Sequence, residues 1–74
     1  MSGHQAGIYR ATHPIIAQIR EETGITPTVT VERYGHLCIY EASVRTPRRF
    51  MSADGYTRRE ALTRLANIVK EKGA

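Results

Sequence analysis

Gly55-Tyr56-Thr57-Arg58-Arg59-Glu60-Ala61-Leu62 joins a turn signal, a helix start and a pair of cations in eight residues. Thr57 and Glu60 have the spacing of a capping box. In that motif the Thr hydroxyl accepts from the N–H of the third helical residue, and the Glu carboxylate reaches back to the cap N–H. Ala61, Leu62, Leu65, Ile68 and Val69 then recur at helical spacing and form one apolar face. A helix is therefore predicted over about 58–72, with Gly73 after it and with Thr63, Asn67, Lys70 and Glu71 in water. Arg58 and Arg59 fall at its N-terminus, where free N–H groups and the macrodipole favour anions. Two guanidiniums at such an end suit phosphate, although the same octet also serves as an ordinary helix start.

Upstream, the chain reads as a helix followed by a β-meander. Pro14 is tolerated in a first turn and Thr12 can cap it. Ile15, Ile16 and Ile19 make an apolar stripe, and Gly24 suits the C-terminal stop. This predicts a helix over about 13–23, with Gln18, Glu21 and Glu22 facing water. Thr28–Tyr34 alternates as a strand and Gly35-His36 is a tight turn. Leu37–Arg45 forms a second strand, with Cys38, Tyr40, Ala42 and Val44 toward the core. Leu37 and Ile39 then lie on the opposite face and are expected to be exposed. Thr46-Pro47 makes a turn. Arg48–Ala53 is a third strand with Phe50 or Met51 inward, ended by Asp54-Gly55. The expected fold is α+β in the order αβββα, a three-stranded antiparallel sheet with two helices packed on one face. Residues 1–11 read as a flexible N-terminal tail and 12–74 as a single domain.

Seventy-four residues bury only about 60% of their unfolded surface, which leaves modest stability and no room for an enzyme-sized cleft. The lone Cys38 cannot form an internal disulfide, no signal peptide is evident, and no apolar run approaches a membrane span. A cytoplasmic protein without a membrane partner is expected. The net charge is +4, and nine of the eleven cations are Arg. Arg suits bidentate contact with phosphate or carboxylate. From Arg45 to Arg59 five Arg face one acid, Asp54. One-sided basic charge is the footprint of nucleic-acid binding, and equally of a solvated basic surface.

Catalytic and metal chemistry find no framework. His36-x-Cys38 offers two ligands where a structural zinc site needs four. Glu21 and Glu22 diverge by about 100° on a helix, and there is no glycine-rich phosphate loop. The chain is expected to be a non-enzyme without metal or cofactor. Tyr34, Tyr40 and Phe50 could stack bases, although aromatic residues are common in strands for packing alone. Tyr56 is placed to staple the helix start against Ala61.

The order of elements and the run Gly55, Thr57, Arg58, Arg59, Ala61 resemble the double-stranded RNA-binding domain, over about residues 13–72. The resemblance implies that Arg58 and Arg59 straddle duplex phosphates, with Leu62 standing where a further lysine is usual. Gly35-His36 resembles a shortened form of the loop from which a family histidine reaches a minor groove. On helix one, Gln18, Glu21 or Glu22 would face the other groove. Gly55, Thr57, Glu60, Ala61 and Leu62 also resemble the helix start of HicB-type antitoxins, which implies a protein partner. A third option lays the open sheet face in a DNA major groove through Arg33, Arg45, Arg48 or Arg49.

The leading expectation is a small nucleic-acid-binding domain that takes duplex RNA in preference to DNA. Arg58 and Arg59 are its anchors, and Arg48, Arg49, His36 and Lys70 are secondary contacts. The alternative is a protein-interaction module, an antitoxin-like component or a small inhibitor of a mobile element. It would act through a homodimer or partner interface at Leu37 and Ile39.

Overall fold

The computed structural model describes residues 13–72. The expected N-terminal tail and the Thr12 cap lie outside the described residues. Helix α1 spans Pro14–Thr23, strands β1, β2 and β3 span Thr28–Tyr34, Leu37–Arg45 and Phe50–Gly55, and helix α2 spans Arg58–Lys72. The α+β class and the αβββα order are as expected. The sheet is an antiparallel meander in the order β1-β2-β3.

Local chemistry explains each boundary. His13 caps α1: its Nδ1 accepts from the Ile15 N–H at 3.2 Å. Gly24 ends α1 in the left-handed region at φ 78°, and its N–H donates to the Arg20 carbonyl. Gly35 has φ 66° and His36 does not have a positive φ. A positive φ at only the first of two turn residues is the II′ pattern, which matches strand twist. The β1–β2 register then runs unbroken from Tyr34↔Leu37 to Thr28↔Ser43.

The third strand begins two residues later than expected. The Thr46 side chain is buried, and its Oγ1 accepts from the N–H groups of both Arg48 and Arg49, at 3.2 and 3.1 Å. Its N–H donates to the Arg49 carbonyl. Arg48 and Arg49 are thus held in a turn, so strand alternation does not decide where they point. Met51 is the inward residue and Phe50 is exposed.

The core forms between α2 and the sheet. Ala61, Leu62, Leu65, Ala66 and Val69 meet Ala42, Val44 and Met51, and Ile19 of α1 joins them. α2 lies on β2 and β3, while α1 packs chiefly along α2. Among the described residues no helix packs along β1; Val29 is half-buried and Val31 is 51% exposed. β2 keeps the expected faces: Ala42 and Val44 are buried, Cys38 and Tyr40 half-buried, Leu37 47% exposed and Ile39 half-buried.

α2 approaches the end of β3 very closely. A Cβ on Gly55 would stand 2.7 Å from the Ala61 nitrogen and 2.9 Å from the Glu60 Cβ. Gly55→Ala should therefore destabilise the domain by about 1–3 kcal/mol, the range for overpacking. In thermal unfolding that is a fall of about 4–8 °C per kcal/mol for a domain of this size. Gly35→Ala meets no atom within 4 Å and carries only its φ penalty, about 1–2 kcal/mol. Equal stability of Gly55→Ala and the parent protein would remove the close approach as a constraint.

Candidate nucleic-acid interface

The start of α2 is fixed by five polar contacts. The Thr57 Oγ1 accepts from the Glu60 N–H at 3.0 Å, and the Thr57 carbonyl accepts from the Ala61 N–H at 3.1 Å. Glu60 Oε1 accepts from the Tyr56 N–H at 2.8 Å, one residue before the cap N–H that the capping box predicts. Its Oε2 pairs with Arg64 at 2.9 Å, and Arg64 donates onward to the Asp54 carbonyl at 3.0 Å. Glu60 and Arg64 are thereby occupied with each other and with backbone. Tyr56 does not staple the helix. It is 62% exposed, beside Ile39, Asp54 and Arg64, while Ala61 is covered completely.

Arg58 and Arg59 are both exposed. Arg64–Glu60 is the one ion pair among the described residues, so neither Arg58 nor Arg59 is neutralised by a carboxylate there. Their own N–H groups occupy the first two helical positions, which have no intrahelical acceptor. Side chain and backbone thus offer positive charge and donors at the same helix end.

The second contributor comes from 45 positions earlier in the chain. His13, Ile16, Arg58, Arg59 and Leu62 line one concavity, so both helices begin at the same end of the molecule and two positive dipole ends adjoin. With Nδ1 accepting from the Ile15 N–H, Nε2 carries the proton of the neutral ring and is a donor. The sequence marks His13 only as the beginning of a helix, because nothing local ties it to Arg58.

The other expected contacts divide between two ends. β3 carries the chain from the Thr46–Arg49 turn to Gly55, about 17 Å. Arg48 and Arg49 therefore sit at the end opposite Arg58 and Arg59. Lys70 is twelve residues along α2 from Arg58, about 18 Å away. His36 is exposed at the hairpin turn, on the Arg58 end. Tyr40 pairs with Gly55, so the hairpin projects four residues, about 13 Å, past the end of β3.

The open sheet face does not suit phosphate. Glu32, Glu41 and Asp54 all lie on it, with Glu41 directly opposite Asp54. Arg33 pairs with Cys38 on the helix side, and Arg48 and Arg49 leave the sheet altogether. Arg45 remains on the open face, with its guanidinium 4.9 Å from the centre of the Phe50 ring. The arginine row that a sheet-in-groove reader would need is absent from the described strands. Of the aromatic candidates, Tyr34 and Phe50 stand on this face, whereas Tyr40 packs against the core.

Tyr34 donates its hydroxyl proton to Glu32 Oε1 at 2.6 Å. That bond, and then the nearby carboxylate charge, raise the Tyr34 pKa above its ordinary value. A raised acid favours the fold while protonated, and the benefit disappears as pH rises through its folded midpoint. Glu32→Gln should bring the Tyr34 midpoint down toward 10.0. NMR titration of the ring resonances reads this directly, and an unchanged midpoint would exclude the carboxylate as its cause.

No protein-family model, curated protein or solved structure matches this chain. Among the described residues no helix is long and apolar enough to cross a membrane, and no three His, Cys, Asp or Glu side chains group as metal ligands.

Proposed function

We propose that this chain is a small, non-enzymatic nucleic-acid-binding domain that grips duplex phosphates with the shared N-terminal end of α1 and α2. One observation carries the reading: His13, Arg58 and Arg59 border one concavity, and neither guanidinium pairs with a carboxylate among the described residues. Each arginine can bond a phosphate through paired donors, and the α2 N–H groups add fixed ones. Binding is by backbone charge and shape, because no base-reading side chain among the described residues lines the concavity with the anchors.

Duplex RNA is the preferred ligand. The αβββα order and the Gly55-x-Thr57-Arg58-Arg59-x-Ala61 run resemble the double-stranded RNA-binding domain. In that arrangement the start of α2 meets phosphates across the major groove, and the His36 turn, projecting from the same end, meets a minor groove. Arg48, Arg49 and Lys70 lie too far away to join this grip and serve at most a longer duplex. The reading sets the protein in the cytoplasm.

Fluorescence anisotropy against matched duplex RNA, duplex DNA and single strands tests this. Salt-steep binding that favours the RNA duplex is expected. Arg58→Ala with Arg59→Ala should abolish it while leaving the circular-dichroism spectrum intact. Either single variant takes one cation off the phosphates and should reduce the log–log salt slope by about 1. Retained affinity in the double variant at low salt would remove the two arginines as anchors.

A protein partner on the open face is the second reading, favoured by the exposure of Leu37 and Tyr34 next to Ile39. It fits an antitoxin-like or inhibitor role. Such an apolar interface would survive salt and fail in Leu37→Lys.

A further inference from the structure

We infer that β1 is a pairing edge through which two copies of this chain join as a two-fold dimer, forming one six-stranded antiparallel sheet. The inference stands apart from the nucleic-acid reading and uses a different surface.

The sheet has two edges, and they are treated differently. At β3 the Arg64 guanidinium donates to the Asp54 carbonyl at 3.0 Å, and α2 lies on the strand. Among the described residues, no side chain or turn bonds the β1 backbone and no helix packs along the strand. An edge of this kind presents a row of unpaired N–H and C=O groups, and natural proteins usually blunt it with Pro, charged side chains, a bulge or a cover; β1 carries two charges of opposite sign, Glu32 and Arg33, which a second copy can accommodate opposite neutral residues. β1 has seven residues in unbroken register with β2, and it contains no Pro, Lys or Gly. Its helix side also leaves apolar surface open: Val31 is 51% exposed, next to half-buried Tyr40 and Cys38.

The occupant is a second copy because the strand is complementary to itself. Antiparallel pairing about a two-fold axis must set like faces together, since successive side chains alternate. With Val31 on the axis, the two Val31 side chains meet. Val29 then opposes Arg33 of the second copy, whose aliphatic stem can cover it. Thr30 opposes Glu32, and Thr28 opposes Tyr34. No like charges face each other. Placing the axis at Glu32 would oppose two carboxylates, which is destabilising, and placing it at Thr30 would pair only residues 28–32, so the Val31 register, which pairs all seven residues of β1, is selected. The interface is isologous and closes at two copies, leaving the Arg64-capped β3 edges outermost.

Sedimentation velocity of the full chain without nucleic acid, from micromolar to millimolar concentration, tests the dimer. The mass should rise from 8.3 kDa toward twice that value. Val31→Lys sets two ammonium groups against each other on the axis, and should weaken dimerisation roughly tenfold or more. The register is read by cysteines placed in a Cys38→Ser background. Directly opposed residues have Cα atoms about 4.5–5.5 Å apart, within disulfide reach, so Val31→Cys should cross-link between chains on oxidation. Two copies of Arg33→Cys stand four positions apart along the sheet, about 13 Å, and should not. A constant 8.3 kDa mass, a dimer untouched by Val31→Lys, or equal cross-linking of both cysteine variants would overturn the proposal. If Val31→Lys unfolds, the cysteine pair alone decides.

Discussion

The close approach of α2 to the end of β3 sets the rest of the structure. The Ala61 nitrogen lies 2.7 Å from where a Gly55 side chain would begin, so the helix turns back immediately on leaving the sheet. That return puts Leu62, Leu65 and Val69 over Ala42, Val44 and Met51. It also brings the first turn of α2 beside the first turn of α1. Had the connection been longer, Arg58 and Arg59 could have been displaced from His13 and the anion-facing end would have been divided. A packing constraint at one glycine thus fixes the position of the cations.

Net charge alone misdescribes this surface. The chain carries +4, yet its open sheet face holds Glu32, Glu41 and Asp54. The open face thus carries three carboxylates against one cation, Arg45. A phosphate chain approaching the helix end meets Arg58 and Arg59, whereas one approaching the sheet meets three carboxylates. Orientation of a duplex would follow from that separation as much as from any single side chain.

Local signals in the sequence are sufficient for the element order. Gly24, Gly35 and the Thr57–Glu60 pair act within four residues, and each stops or starts an element as its chemistry dictates. The alternation of β2 likewise places Ala42 and Val44 inside. What the sequence does not disclose shares another cause. Arg48 and Arg49 read as strand because no local rule announces that a buried Thr46 hydroxyl takes both of their N–H groups. Val31 shares the inward face with Val29, but alternation assigns a face and not the helix that covers it. His13 cannot be recognised as a neighbour of Arg58 when 45 positions separate them. The acidic character of the open face requires the register: Glu41 and Asp54 are far apart in sequence and directly opposed in space.

The marginal cover of β1 by the described helices follows from how those helices pack. Helix axes pack about 8–10 Å apart, and strands about 4.8 Å. Two adjacent helices can therefore roof three strands only if both lie flat on the sheet. Here α1 leans chiefly on α2, which brings the first turns of the two helices together and concentrates their positive ends. The same arrangement withdraws cover from the outer strand. One packing choice thus generates both surfaces: the paired helix ends that attract anions, and the strand whose outer backbone lacks a neighbour among the described residues. If β1 gains that neighbour from a second copy, the antiparallel two-fold points the two helix ends in opposite directions. A dimer would then carry two separate phosphate-binding ends, suited to two duplexes or to distant turns of one.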